Sequence, residues 1–365
     1  MLDRRSALAL LAGAVALSSR RVAAQTIPAG YPADYAAMAT KAKAEGKLAI
    51  YSSTDLAQAQ KLLDGFKAAY PGIATEWNDL GTTGAFNRVV SEAAAKQVGC
   101  DICWTSALDL QLAVVDRGLA TEYRSAEAAK LPEWAIYKSS GYGTTFEPAA
   151  VVYNKRLLPA ELVPRTHADL TRILRENKAK LDGKVATYDP EKSGTGFMFA
   201  TDSLTNVPGF WDMMAAFGAA HGKVYGGSGT MREKVISGEH LLAFDVIGSY
   251  AVDWARADPN LGVAYLTDHV PAFSRVMLIA KDAPHLNAAK LFLDYTVSPA
   301  GQTALAAGGL ASMRSDVPGI DNPESLAKAV GVKLRPIPLS EKSNEYAEPK
   351  KRAEFFRQWR KAMQG

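Results

Sequence analysis

Cysteine, histidine and long apolar runs are the scarce features of this 365-residue chain, which has 2 cysteines and 5 histidines. Cys100 and Cys103 lie in VGCDICW, which reads as a buried strand. Three strand steps separate Cα atoms by about 10 Å, past the ~7 Å reach of a disulfide, which excludes a redox pair there. Two thiols also leave a tetrahedral zinc site incomplete. The histidines, at positions 167, 221, 240, 269 and 285, show no H-x-x-x-H spacing and read as surface or capping residues. No stretch reaches the ~20 apolar residues that span a bilayer. The chain has no G-x-S-x-G elbow and no G-x-G-x-x-G, and GAAHGK (218–223) is one residue short of a phosphate-binding P-loop. Serine-hydrolase and nucleotide-binding readings therefore lose their signatures.

Net charge is also small, a formal +4 from 42 basic and 38 acidic residues. Residues 1–24 read as an export leader: Arg4 and Arg5, the apolar run ALALLAGAVAL (7–17), then Val22, Ala23 and Ala24 as a small-residue cleavage pattern. Cleavage after Ala24 removes four arginines and one aspartate, which takes the formal charge from +4 to about +1. Such a protein has no electrostatic case for nucleic acid. No cysteine stands at the cleavage point, so the expected product is freely diffusing in the periplasm; the paired arginines leave the Sec and twin-arginine routes both open. The one basic cluster, EPKKRAEFFRQWRKAMQ (348–364), carries Phe355, Phe356 and Trp359 at helical spacing. It reads as a terminal amphipathic helix that docks its aromatic face.

What is present is an alternation of strand-like and helix-like segments over a length sufficient for two domains. LAIYS, IATEWNDL (73–80) and CDICW each precede a helical pattern, the first helix placing Leu63, Phe66 and Tyr70 at helical intervals with Ser53 or Thr54 as its cap. This alternation implies a parallel sheet covered on both faces, with ligands beyond the carboxyl ends of the strands. GYGTTFEPAAVVYNK (141–155) can cross to a second α/β lobe, which continues through KVATYDP (184–190) and LLAFDVIGSYAVDWA (241–255). LGVAYLTDHVPAFSRVMLIAKD (261–282) can bring the chain back. The expected division is 25–145 for the first part of lobe I, 146–268 for lobe II, and 269–365 for the return to lobe I with C-terminal helices.

Hydroxyl-bearing loops mark the strand ends. Ser52, Ser53 and Thr54 follow the first strand, Thr105 and Ser106 the third, and Ser193, Gly194, Thr195 and Gly196 open a helix in the second lobe. Hydroxyls beside the unpaired N–H groups of a helix start suit an anionic small molecule. Taken singly, Ser52, Ser53, Thr105 and Ser106 read first as helix caps, and the alternative for Ser193–Gly196 is a capped helix with no guest. Ser228 and Thr230, in YGGSGTMREK (225–234), offer a similar loop. Asp245, Ser249 and Tyr250 follow a strand of the second lobe and are placed to reach the cleft, and His269 lies at the return crossing. Tyr142, at the outgoing crossing, reads equally as hinge packing.

On LAIYSSTD (48–55), CDICWTSALDLQ (100–111), AAVVYNK (149–155), DPEKSGTGF (189–197) and KDAPHLNAAKLFLDYTVSPAGQTALA (281–306), the chain resembles the periplasmic solute-binding proteins of ABC transporters. The group in question is type II, which holds ferric-iron, phosphonate and sugar-phosphate binders. The resemblance implies an α/β fold of two lobes, each a mixed, mostly parallel sheet flanked by helices and joined by two crossing strands. It further implies hinge closure on a solute and delivery to an inner-membrane permease, with no enzymatic activity and no cofactor. The family's ligand loops fall on Ser52, Ser53 and Thr54, on Thr105 and Ser106, and on Ser193, Gly194 and Thr195.

Ferric binders of that group carry two adjacent tyrosines, where this chain has Ser249 and Tyr250, and Asp55 stands where a histidine is frequent. The reading is a monomeric binder of a small organic anion such as a phosphorylated compound, phosphonate or carboxylate, with Trp104 or Tyr250 covering its organic part. Ferric iron is the alternative within transport, and a secreted serine hydrolase the alternative outside it.

Overall fold

The computed structural model describes residues 30–364, so the leader expected over residues 1–24 lies outside the described residues. The first lobe opens with α1 (Tyr35–Glu45), β1 (Lys47–Ser52), α2 (Leu56–Ala69), β2 (Ala74–Asp79), α3 (Gly81–Ala95), β3 (Ile102–Thr105) and α4 (Leu108–Asp116). Short strands β4 (Ile136–Tyr137) and β5 (Gly141–Gly143) complete this pass, and β6 (Glu147–Asn154) enters the second lobe. That lobe continues with α5 (His167–Glu176), α6 (Lys178–Leu181), β7 (Val185–Tyr188), α7 (Gly194–Asn206), α8 (Phe210–Ala219) and β8 (Lys223–Tyr225). It ends its first pass with α9 (Ser228–Ser237), β9 (Leu242–Ile247), α10 (Gly248–Ala257) and β10 (Leu261–Ala264). The return runs through β11 (Pro271–Phe273), β12 (Val276–Ile279), α11 (Leu286–Val297), α12 (Pro299–Ala307), α13 (Pro323–Val330), β13 (Arg335–Pro336) and α14 (Pro349–Ala362).

Each lobe is built on one mixed sheet. The first has the order β2-β1-β3-β12-β5-β4 and the second β13-β11-β6-β9-β7-β8, with β10 paired to β6. In the first, β1 runs parallel to β2 and β3, while β12 is antiparallel to β3 and β5. The carboxyl ends of β1 and β3 therefore lie side by side, with Ser52 in register with Trp104.

The two crossings lie against each other where β5 gives way to β6 and β11 to β12. The amides of Thr144 and Thr145 donate to Ser274 Oγ at 2.9 and 3.1 Å, and Arg275 N donates to Thr145 Oγ1 at 3.0 Å. Small hydroxyl residues serve here because they satisfy the Thr145 and Arg275 backbone donors past the end of the ladder, while Thr144 N also donates to Arg275 O at 2.9 Å.

Aromatic packing holds each lobe. Phe66 meets Phe292 edge to face at 5.0 Å in the first, and Phe217 meets Phe244 at 5.4 Å in the second. A further apolar cluster runs through both lobes, from Cys103 and Leu112 to Tyr188 and Met198. Both cysteines are free and buried, and burial pushes the Cys103 thiol up to about 12.

The C-terminal region departs from its expected lobe. The helix over 349–362 is there, with Phe355 and Trp359 buried, but they join the second-lobe core of Phe197, Phe210 and Phe217. The chain thus passes between the lobes a third time, through β13, which pairs with β11. An aromatic stripe specifies that a face is buried and does not specify against what. Among the described residues no helix is long and apolar enough to cross a membrane.

Candidate functional site

The turn after β1 is held by Ser52, whose Oγ donates to Trp104 O at 2.8 Å and accepts Thr54 N at 3.0 Å. This fixes Ser53 beside the end of β3, where its Oγ accepts Ser106 N at 3.2 Å and lies 3.4 Å from Ser106 Oγ. Ser106 Oγ in turn lies 2.9 Å from Thr195 Oγ1 of α7. Hydroxyls from both lobes therefore meet at one point. Ser193 caps α7, its Oγ accepting Gly196 N at 3.2 Å. Gly194 allows the approach: a Cβ there would stand 2.5 Å from Ala107 Cβ. α4 begins right after Ala107 with no side-chain cap, so two helix starts face this hydroxyl cluster.

Thr54 reaches the same interface through a residue that sequence reasoning missed. Its Oγ1 accepts Arg275 Nη1 at 3.0 Å, and Arg275 Nε and Nη2 hold Glu147 at 2.8 and 3.2 Å. Thr145 donates to Glu147 at 2.8 Å, and Ser249 also donates to it. The guanidinium stands 5.3 Å from the centre of the Tyr250 ring. Burial favours the neutral form of Arg275, but the Glu147 charge outweighs it and holds the guanidinium firmly protonated. The available signal was a lone arginine in the apolar run AFSRVMLIA (272–280), which is only explicable as a paired charge.

Burial raises the phenol of Tyr250, with Arg275 opposing, and raises that of Tyr188, with Ser228 opposing. Both are neutral phenols at the lobe interface. Ser228, the first residue of α9, is buried on the Tyr188 side, whereas Thr230 is exposed and stands apart. Thr105 is buried at the end of β3, in register with Val276.

Asp245 and His269 do not join the hydroxyl cluster. His269 Nε2 lies 2.6 Å from Asp202 Oδ2, and the His269 and His167 rings are 6.4 Å apart. Asp202 is seven residues along α7 from Thr195, or about 10 Å of helix. Asp245, held at φ 56°, borders this histidine group. His221 is exposed and His285 stands at the N-cap of α11, as surface or capping residues, but His167, His240 and His269 are buried. Each has a polar partner, Asp268, Tyr225 and Asp202 respectively, which a sequence pattern does not display. Trp104 is also no cover for a solute: it is fully buried, and its Nε1 donates to Thr144 Oγ1 at 2.8 Å. Tyr142 is hinge packing, its hydroxyl donating to Tyr123 O at 2.6 Å.

A cavity of about 220 Å³ opens between the lobes beside the Arg275–Glu147 pair. Ser249, Asp253 and Arg256 line it from α10, and Gly309, Asp321 and Leu326 from the returning chain. Among the described residues, no group of three or more His, Cys, Asp or Glu side chains is placed to hold a metal.

This two-lobed geometry has relatives. The family model of the bacterial extracellular solute-binding proteins matches residues 61–331. The chain belongs to that family. A solved substrate-binding protein of an ABC transporter from Agrobacterium tumefaciens is 32% identical, with a TM-score of 0.82 over 87% of this chain and 94% of that one. AfuA from Actinobacillus pleuropneumoniae, solved with fructose-6-phosphate, is 20% identical with a TM-score of 0.70, covering 87% of this chain and 98% of that one. Iron-bound HitA from Pseudomonas aeruginosa is 17% identical with a TM-score of 0.69, covering 87% and 99%. The last two share the fold, the type II periplasmic binding architecture. No curated protein matches the sequence. In this extracellular solute-binding protein, the hydroxyl cluster of Ser53, Ser106 and Thr195 lies where the two lobes meet.

Proposed function

We propose that this protein is the periplasmic solute-binding component of an ABC importer, a monomer that closes on a small organic anion and delivers it to an inner-membrane permease. The observation that carries this reading is the convergence of Ser53 and Ser106 of one lobe on Thr195 of the other, within 3.4 Å and 2.9 Å steps. Hydroxyls at two helix starts offer donors and a favourable dipole to a phosphate, phosphonate or carboxylate without a fixed cation. The cavity beside α10 carries Asp253, Asp321 and Arg256, and none of Ser53, Ser106 and Thr195 lines it. Tyr250 and Tyr188 are aromatics at this interface.

Two features speak against the alternatives. A ferric ion is matched by phenolates, and this chain sets Ser249 beside Tyr250 in place of a second adjacent tyrosine. A nucleophilic serine requires a base, and the hydrogen-bond partners of Ser53 and Ser106 are hydroxyls and backbone. The reading is tested by native mass spectrometry of freshly purified protein, followed by a thermal-shift screen of phosphorylated compounds, phosphonates and carboxylates. A ligand at 100 times its Kd adds about 2.7 kcal/mol of stability. Ser106→Ala with Thr195→Val removes the shift while leaving the unliganded melt in place. A shift that survives both substitutions places the anion elsewhere.

A further inference from the structure

Asp109 is the second residue of α4, the helix whose start presents Ser106 and Ala107 to the second lobe. Its side chain is 6% exposed, and its Oδ2 accepts Arg352 Nη1 at 2.9 Å. Arg352 belongs to α14, which is anchored on the second lobe by Phe355 and Trp359. The guanidinium also lies 4.0 Å from the centre of the Phe197 ring of α7 and 5.3 Å from that of Phe356. One cation therefore touches both helices whose first turns bring Ser106 and Thr195 together.

The charge of Asp109 poses a problem for an anion site. A carboxylate in the first turn of α4 takes up the same positive helix end that a bound anion needs, and repels that anion. Burial pushes its carboxyl up, while Arg352 and the first amides of α4 pull it back toward ionisation. An opposite charge at 2.9 Å cancels the repulsion, and it arrives from the other lobe. Opening of the lobes would take it away.

We infer that Arg352 is a positioning residue for solute binding: carried on the C-terminal helix, it pairs with Asp109 across the lobe interface, neutralises the carboxylate beside the anion site and holds Ser106 against Thr195. This inference rests on the anion-binding reading for the charge argument, while the pairing itself bears on closure with or without a solute. The C-terminal helix thereby becomes part of the closing mechanism and not merely a cap on the second lobe.

The test uses the mature chain with spin labels on exposed Lys61→Cys of α2 and Lys180→Cys of α6, since both native cysteines are buried. Interlobe distance distributions are recorded by pulsed electron paramagnetic resonance for the unsubstituted chain, R352M, D109N and D109N/R352M, without ligand and across an inorganic phosphate titration. R352M keeps the apolar stem over Phe197 and removes the charge. It is expected to lower the ratio of closed to open molecules by about tenfold or more. The double variant, which has neither the pair nor an unpaired carboxylate, is expected to recover part of that loss. Identical distributions for R352M and the unsubstituted chain would overturn the inference, and a double variant as open as R352M would overturn the charge argument. If phosphate moves neither the unsubstituted chain nor any variant, the anion reading falls while the ligand-free distributions still decide the clamp.

Discussion

Gly194 is small for a reason that its own helix does not supply. Its φ is not positive and it sits at the first position of α7, where alanine is tolerated or preferred. The constraint comes from Ala107 of the other lobe, whose Cβ would lie 2.5 Å from an added methyl. Gly194→Ala is therefore expected to leave the unliganded melt unchanged or slightly higher. Overpacking of this kind costs about 1–3 kcal/mol, here charged to the closed state alone. Solute affinity then falls by roughly five- to 150-fold, measurable by calorimetry once the solute is known. An unchanged affinity would mean that the lobes never approach this closely with solute bound. The sequence marked the SGTG loop as an anion candidate because capping serine and glycines are local features. The contact with Ala107 and the Arg352–Asp109 and Arg275–Glu147 pairs join residues 87, 243 and 128 positions apart, and no local pattern displays them.

Elements, unlike pairs, were largely legible. Periodicity located β1, β3 and α14, and the Ser193 cap located α7. α3 begins at Gly81 although GTTG has turn composition, because its neighbours supply the helical packing. Ser53 and Thr54 do not cap α2, whose N-cap is Asp55, since Ser53 is turned toward Ser106 at the end of β3 and Thr54 toward Arg275 at the hinge. Histidines were misjudged for a related reason: burial depends on the partner that an element brings. His240, between α9 and β9, has its Nε2 2.7 Å from Tyr225 Oη of β8. Burial holds its imidazole below the ordinary 6.5. The folded chain then binds fewer protons than the unfolded chain between those two values. The stability is fully present above pH 6.5 and is lost as the pH falls below it, through the lowered folded value. His240→Gln keeps a partner for Tyr225 and removes the titration. The fall in Tm between about pH 7.5 and about pH 5.5 should be smaller in this variant than in the parent. An equal fall would assign the acid sensitivity to other groups.

At the scale of the whole molecule, the Arg275–Glu147 pair is the point where both lobes and both crossing strands join. Side chains 1% and 0% exposed leave neither charge access to water. The pair nonetheless ties Thr54 of the first lobe to Ser249 and Tyr250 of the second. Its contribution to net stability is expected to be small, because desolvation of two ions offsets most of their attraction. Its removal by halves is a different matter. Glu147→Gln leaves Arg275 buried beside a neutral amide and should cost about 3–5 kcal/mol. Replacing both residues with methionine should restore most of that loss, since no unpaired charge remains. The two variants separate folding from function: urea midpoints should be low for Glu147→Gln and near the parent for the double methionine chain. The double chain should still bind its solute poorly, because closure no longer has a polar link from Thr54 through the hinge to Tyr250. A double chain with parental stability and parental affinity would reduce the pair to a structural filler. In that case the third passage of the chain, with Arg352 at its end, would carry the coupling between the lobes without help from the hinge.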